Sequence, residues 1–385
     1  MSPNGHDGQA KWATATRRKV IGSIGALGVA GVAGCTSSGT EDEAPSSGTD
    51  DESPGGGTES TNTVEDATGR TVTVPSTVED VVAVGPGMLN LVAMLDAVEM
   101  VAGVEKPEHT WARDIPYNIA NPELRERQVI GPHKGGDAEL IAEADPDVVV
   151  ATYFTAGTAN QLQGKIDCPV VVIKADSRPL HRLDGAYEDL RFLADMLGRS
   201  DRAEAVVEFF ESRREDLRQR SEGVSQARRP VAYYAGRSSE GGAGATSTQH
   251  PFAPFAFVGA DNAADAIEGH KTVSEEELLR WDPDVVFVAG SNRDRVLKAF
   301  DSGKYATLSA VESGDLYGLL PTRFYGNLYG NTLADAYYVG SVLYPDAFSD
   351  VDPIEQANEI HRTLFGTAVY DQLAEQFGGF EQLTV

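Results

Sequence analysis

A chain of 385 residues, 41% of them hydrophobic, is long enough to bury the cores of two lobes of ordinary domain size. Its 59 acidic residues against 32 basic ones leave a formal charge of −27, a surface that repels nucleic acid and anionic lipid head groups and argues against either as a partner. Only 9 of the basic residues are Lys, and low Lys with abundant Asp and Glu suits a high-salt, halophilic setting in which ions screen the self-repulsion.

In chain order, Thr16, Arg17, Arg18 and Lys19 form a basic block ahead of an apolar, small-residue run from Val20 to Ala33. That run is too short and glycine-rich for a membrane-spanning helix, which needs ~20 apolar residues. The block resembles a twin-arginine signal, and Val32-Ala33-Gly34-Cys35 resembles a lipobox. The likeness implies export in the folded state, removal of residues 1–34 and lipidation of Cys35; an uncleaved anchor helix is the alternative, and either places the protein outside the membrane. Residues 36–62 are Ser, Thr, Gly, Pro and acids with nothing to bury, which predicts a disordered tether reaching ~30 Å. The only other cysteine, Cys168, reads as a small buried hydrophobe, so no disulfide within the chain is expected once Cys35 is modified.

A first lobe is expected over residues 63–183. It opens with two short strands around a glycine turn, Val64 to Pro75. A strand at Val81 to Val84 runs into Gly85-Pro86-Gly87-Met88 and a helix carrying Leu89, Val92, Ala93 and Leu95. Met100 to Val104 reads as a strand, Val129-Ile130 leads into Gly131-Pro132-His133-Lys134-Gly135-Gly136, and Val170 to Ile173 closes the lobe. A helical segment over 184–228 follows, with a helix from Tyr187 to Leu197 and a long one over 201–222. In the latter Ala203, Val206, Val207, Phe210 and Leu217 recur at helical spacing, with Ser200 as its expected cap. The second lobe, 229–385, begins with a strand at Pro230 to Tyr234 and a glycine-rich loop from Gly236 to Gly244. A short helix is expected over His250 to Val258, a strand over Leu316 to Leu320, a loop from Pro321 to Tyr329, a helix carrying Leu333, Ala336, Tyr337 and Val339, and terminal helices over Ile354 to Phe365 and Ala368 to Phe377.

One unit occurs in both lobes. Residues 138–151 read AELIAEADPDVVVA and residues 275–288 read EEELLRWDPDVVFV, so a shift of 137 places Glu139 on Glu276, Asp145 on Asp282, Pro146 on Pro283 and Asp147 on Asp284. In each copy a helix stops before Asp-Pro and a β-branched run without alternation follows, as a buried parallel strand requires. The expected fold is therefore α/β: two Rossmann-like lobes with central, mostly parallel sheets, joined by one long α-helix, with a ligand cleft between them.

These parts in this order resemble the solute-binding proteins of ABC importers that have a rigid interlobe helix, the class III type that takes iron complexes, haem or cobalamin. The likeness covers about residues 64–377 and rests on VEDATGRTVTVP, the two repeat copies, the intervening helix, LADAYYVGSVLYPDAFSDVDPIEQANEI and FGTAVYDQL. It implies a ligand held between the lobes and delivered to a membrane permease with its ATPase. It further implies docking on permease arginines through Glu139 and Glu276, one per lobe, with helix capping as the alternative role and Asp137, Glu275 and Glu277 as neighbours that share or replace it. A single long helix resists hinge bending, so small lobe motion is expected, with release driven by the permease.

Ligands of open α/β sheets collect beyond the carboxyl ends of the strands. Candidates in those loops are Pro86, Gly87, Met88, His133, Lys134, Tyr153, Phe154, Arg237, Ser238, Ser291, Arg293, Arg323, Phe324, Tyr325 and Asn327, with Arg323 and Tyr325 foremost. Such loops, basic and aromatic on an acidic protein, would draw an anionic ligand with a flat or apolar surface. The seven His residues are scattered, without an i, i+4 pair or a Cys cluster, so no metal site and no cofactor are expected. The leading expectation is a monomeric, non-enzymatic receptor for an iron chelate such as a siderophore, haem or a cobalamin-like ligand. The alternative within the class is molybdate or tungstate, for which the cavity should be small and lined by N–H groups and Arg rather than open and aromatic. A surface hydrolase is the remote alternative, opposed by the lack of G-x-S-x-G, H-E-x-x-H or a Walker loop.

Overall fold

The unbroken valine runs sit at the centre of two parallel sheets. The computed structural model describes residues 60–237 and 244–385; the signal, the tether up to residue 59 and Ser238 lie outside the described residues. The first sheet has the order Gln128–Val129, Val101–Val104, Val81–Val84, Val148–Ala151, Val170–Val172, and every adjacent pair is parallel. The second runs Asp261–Asn262, Val231–Ala235, Val285–Ala289, Leu316–Leu319, again all parallel. Both repeat strands are inner strands buried along their whole length, which is why neither alternates.

The repeated Asp-Pro-Asp does the same work twice. The helices Ala138–Glu143 and Glu275–Trp281 each end before an Asp in left-handed backbone, Asp145 at φ 51° and Asp282 at φ 42°. Two residues on, Asp147 Oδ2 accepts from the backbone N–H groups of Glu79 and Asp80 at 2.6 and 3.0 Å, and Asp284 Oδ2 accepts from Val231 N–H at 2.8 Å. One carboxylate per lobe thus pins the start of the neighbouring strand.

The interlobe helix is Ser200–Glu222, 23 residues and about 34 Å long. It buries the five expected apolar residues together with Ser221. Ser200 does not cap it: Arg199 occupies the cap position without a side-chain bond, and Ser200 Oγ donates instead to Asp195 at 2.7 Å. Near its start Arg202 donates to Met94 O at 3.0 Å and to Thr363 O at 2.7 Å, tying it to the helices Met88–Met94 and Pro353–Phe365. Near its end Arg220 bonds Asp216 and Asp350. The terminal helix Pro353–Phe365 also packs on Met88–Met94 and Pro116–Ala120. One hydrophobic core therefore runs from Val81 and Val148 through Phe210 to Phe287, Leu333 and Ile360, so the lobes are joined by shared packing as well as by the helix.

Three further expectations are corrected. His250 to Val258 is not one helix: Ser247–His250 is a strand paired antiparallel with Gly269–Thr272, and the helix is Ala253–Val258. Pro251 explains this, since the residue before proline is driven to extended backbone. The tether ends two residues early, because Thr61–Glu65 already pairs with Thr71–Pro75. The loop after the last strand of the second sheet contains a tight hairpin, Arg323–Phe324 paired with Gly326–Asn327. Among the described residues no helix is long and apolar enough to cross a membrane.

The N-terminal hairpin is fastened by Asp66, whose buried carboxylate accepts from Thr68 N–H (2.9 Å), Thr68 Oγ1 (2.7 Å), Arg70 Nη2 (2.7 Å) and Val172 N–H (3.3 Å). Burial pushes its pKa up, but the hydrogen bonds from Thr68 and Arg70 outweigh it and hold the group at about 2. The folded value lies below the unfolded one, so the stabilisation is complete above about pH 4 and is lost as the pH falls towards 2. Asp66→Asn should therefore cost about 2 kcal/mol at pH 7 and little near pH 2 by denaturant unfolding; a gap that does not change with pH would contradict this role.

Candidate ligand-binding cleft

The hairpin Arg323–Asn327, which follows the last strand of the second sheet, meets residues that follow strands of the first, Gly87 after Val81–Val84 and Glu105 after Val101–Val104. At its tip Tyr325 reaches the first lobe and donates its hydroxyl to Glu105 Oε2 at 2.5 Å. The same oxygen accepts from Gly85 N–H at 2.7 Å, and Oε1 accepts from Gly135 N–H at 3.3 Å. Both side chains are buried. Burial raises the Glu105 pKa against these hydrogen bonds, while burial and then the neighbouring Glu105 charge push the Tyr325 phenol up, so the phenol keeps its proton and serves as donor. Gly326, at φ +102°, lies so close to the other lobe that a Cβ there would stand 2.4 Å from Gly87 N. Asn90 Nδ2 donates to Asn327 O at 2.9 Å, and Asn327 Nδ2 donates to Arg178 O at 3.0 Å. Trp111 packs edge-on at 5.1 Å from the Tyr325 ring and 5.8 Å from the Phe324 ring, with about half its surface exposed. The hairpin stitches the lobes together.

On one flank of the hairpin is a cavity of about 190 Å³ walled by Arg237, Arg323, Gln249, His181, His250 and His270, with Pro179, Leu180, Pro251, Ala253 and Gly269. Arg237 Nε donates to Gln249 Oε1 at 2.7 Å, and Arg323 Nη1 donates to Asn327 Oδ1 at 2.5 Å, so buried Asn327 braces one of the two guanidinium groups. On the other flank lies a wide groove of about 720 Å³ lined by Ser291, Asn292, Arg293, Phe324, Phe377 and Glu375. Arg293 there is ion-paired with Glu381 and lies over Gly318 and Gly378, where a Cβ would meet its guanidinium at 2.9 and 1.5 Å. Its place is a packed one.

The candidates thus separate into groups. Arg237, Arg323 and Asn327 come together at the small cavity; Ser291, Arg293 and Phe324 border the groove. Pro86 and Gly87 are buried under the hairpin, Met88 is in the core, and Tyr325 is engaged with Glu105. His133, Lys134 and Tyr153 are exposed on the first lobe, with Lys134 Nζ 6.0 Å from the Tyr153 ring centre, while Phe154 packs into that lobe's smaller core. Ser238 is outside the described residues. Sequence reasoning passed over Glu105, Trp111, His181, Gln249 and His250. Glu105 directly follows the strand Val101–Val104, where the crevice rule points, and in the sequence the histidines stand out only as possible metal ligands.

Glu139 and Glu276 are both exposed in the first turn of the repeated helices. Neither serves as the cap: Asp137 accepts from Glu139 N–H at 2.9 Å and Leu140 N–H at 3.3 Å, and Ser274 Oγ accepts from Glu277 N–H at 3.0 Å. Glu275 bonds Lys304 at 2.7 Å and Glu277 lies 3.4 Å from Arg280, whereas Glu139 and Glu276 make no ion pair among the described residues.

Two parallel-sheet lobes joined by one long helix, with a lined cleft at their junction, have the architecture of a solute-binding protein. A family model described as periplasmic binding protein matches residues 81–321, from the first strand of the first sheet to the loop after the last strand of the second, and the chain belongs to that family. It is of the kind that serves ABC transporters. The chain is 26% identical over 328 residues to the molybdate-binding protein MolA of Haemophilus influenzae, across 79% of this chain and 91% of the relative. The molybdate-bound structure of that protein superposes with a TM-score of 0.64 at 22% identity, covering 80% of this chain and 98% of the other. A periplasmic solute-binding protein from Veillonella parvula gives 0.66 at 16% identity, covering 83% and 97%. A periplasmic heme-binding protein from Pseudomonas aeruginosa gives 0.53 at 22%, covering 70% and 93%.

Proposed function

We propose that the protein is the extracellular, lipid-anchored receptor of an ABC importer that captures a tetrahedral oxyanion of the molybdate or tungstate type in the 190 Å³ cavity. The observation that carries this reading is the size of that cavity together with its two arginines. Pockets for drug-sized ligands run from about 300 to 1,000 Å³, so a siderophore, haem or cobalamin overfills it, whereas a four-oxygen dianion fits. Planar guanidinium forks match paired oxygens, and Arg237 and Arg323 enter from different elements, the segment just beyond Val231–Ala235 and the hairpin. The named ligand of the Haemophilus relative supports the same class.

Cys35 supplies the lipid anchor after removal of residues 1–34, and the tether lets the monomeric receptor stand off the membrane. Glu139 and Glu276 dock the two lobes on the permease, whose ATPase-driven movement opens the cleft. A second reading, the iron chelate, is favoured by the 720 Å³ groove beside Phe324 and half-exposed Trp111, an open aromatic setting.

Titration of the protein in high salt separates the two, with Trp111 fluorescence as reporter because its ring meets Tyr325 on the hairpin. Saturable change is expected with molybdate and tungstate and none with ferric hydroxamates, ferric catecholates, haem or cobalamin. Saturation by a chelate alone would transfer the ligand to the groove and overturn the oxyanion reading.

A further inference from the structure

The small cavity contains more cationic capacity than its two arginines. His181 enters from the segment that leaves the first lobe and His250 from the strand Ser247–His250, so the cavity is closed from both lobes by an imidazole. The Nδ1 atom of His250 is buried without a hydrogen-bond partner among the described residues, an arrangement that costs stability until a partner arrives.

We infer that His181 and His250 are ligand-side residues of this cavity and that it takes up a proton together with its dianion. The inference rests on the oxyanion reading above.

The charges that surround His181 come from several elements. Arg182 is its chain neighbour, His250 faces it from the strand, Arg237 lies two residues beyond the strand Val231–Ala235, Arg323 stands on the hairpin, and His270 lies on the strand paired with Ser247–His250. Burial, followed by the charges of Arg182 and His250, lowers the His181 pKa, so without a dianion the ring is biased to its neutral form. A dianion placed among these groups reverses the balance, because an opposite charge within a few ångströms favours the protonated ring. Binding then raises the pKa, and the proton is bound between the empty and loaded values. Affinity is greatest below the empty-state value and declines as the pH rises through the loaded-state one. A cavity formed by arginines alone would have no such slope, since guanidinium keeps its charge throughout.

The test is isothermal titration of the protein with tungstate, kept micromolar so that it stays a mononuclear dianion, at several values between pH 6 and pH 8.5 and in two buffers of different ionisation enthalpy. The dissociation constant should weaken by about three- to tenfold per pH unit across part of that range. The buffer-dependent heat should report net proton uptake. In His181→Gln and His250→Gln the slope should flatten while tungstate still binds, more weakly than in the parent at pH 6. Binding with constant affinity and no proton uptake would overturn the inference and leave the oxyanion reading in place, as would both variants retaining the full slope. No tungstate binding at any pH would overturn the oxyanion reading itself.

Discussion

Replacing Arg237 and Arg323 together by alanine is expected to weaken molybdate binding at least a hundredfold, while ligand-free thermal unfolding changes by only a few degrees. Each guanidinium brings charge-assisted donors, and such bonds contribute about 1.5–3 kcal/mol each, or roughly ten- to a hundredfold in affinity. The loss falls mainly on binding because Arg237 lies two residues beyond the strand Val231–Ala235 and Arg323 lies in the hairpin, both outside the continuous apolar core, while the lost bond to buried Asn327 accounts for the few degrees. Arg323→Lys distinguishes fork geometry from charge. A lysine keeps the charge but cannot present two parallel donors, nor repeat the brace that Asn327 Oδ1 gives Arg323 Nη1 at 2.5 Å. Most of the affinity should therefore be lost in that variant as well. Calorimetric titration of each variant decides it: parent-like affinity in the double variant would remove the arginines from the ligand.

What the sequence makes legible here is what recurs locally. The five apolar residues of the interlobe helix and the valine runs of the repeat are spaced by their own secondary structure, and all are buried as that spacing requires. Asp147 and Asp284 are visible as a repeat, although only the structure shows that each carboxylate fastens an adjacent strand. The failures have the opposite character. Tyr325 stands out as an aromatic in a loop, but the partner that engages it, Glu105, lies 220 positions away and carries no periodic signal. Asn327 likewise reads as a loop amide, yet it joins Arg178 and Arg323 inside the structure. The His250-Pro251 break was within reach, since proline's effect on its predecessor is a local rule; the apolar run Phe252 to Val258 masks it. Local rules thus place the two lobes and the ends of their strands. Which loop residues meet at the cavity is decided by pairings between lobes.

The substitution Glu139→Ala combined with Glu276→Ala is expected to abolish uptake in cells that carry the cognate permease while leaving ligand affinity intact. The two carboxylates occupy one position of a unit that occurs once per lobe, and both are exposed and spared from capping and ion pairing among the described residues. The continuous core and the anchored helix join the lobes, so on the docking reading the two carboxylates would act as a pair of contacts at one spacing. Two weak contacts joined rigidly multiply in effect, because the second forms at high effective concentration once the first is made. Each single variant should therefore lose uptake several-fold and the double variant at least a hundredfold. Long-range charge does not account for such a result, since the double substitution changes a formal charge of −27 by only two. The control is affinity: a parallel fall in ligand binding would place these residues in the cleft, and near-normal uptake in the double variant would take docking away from them.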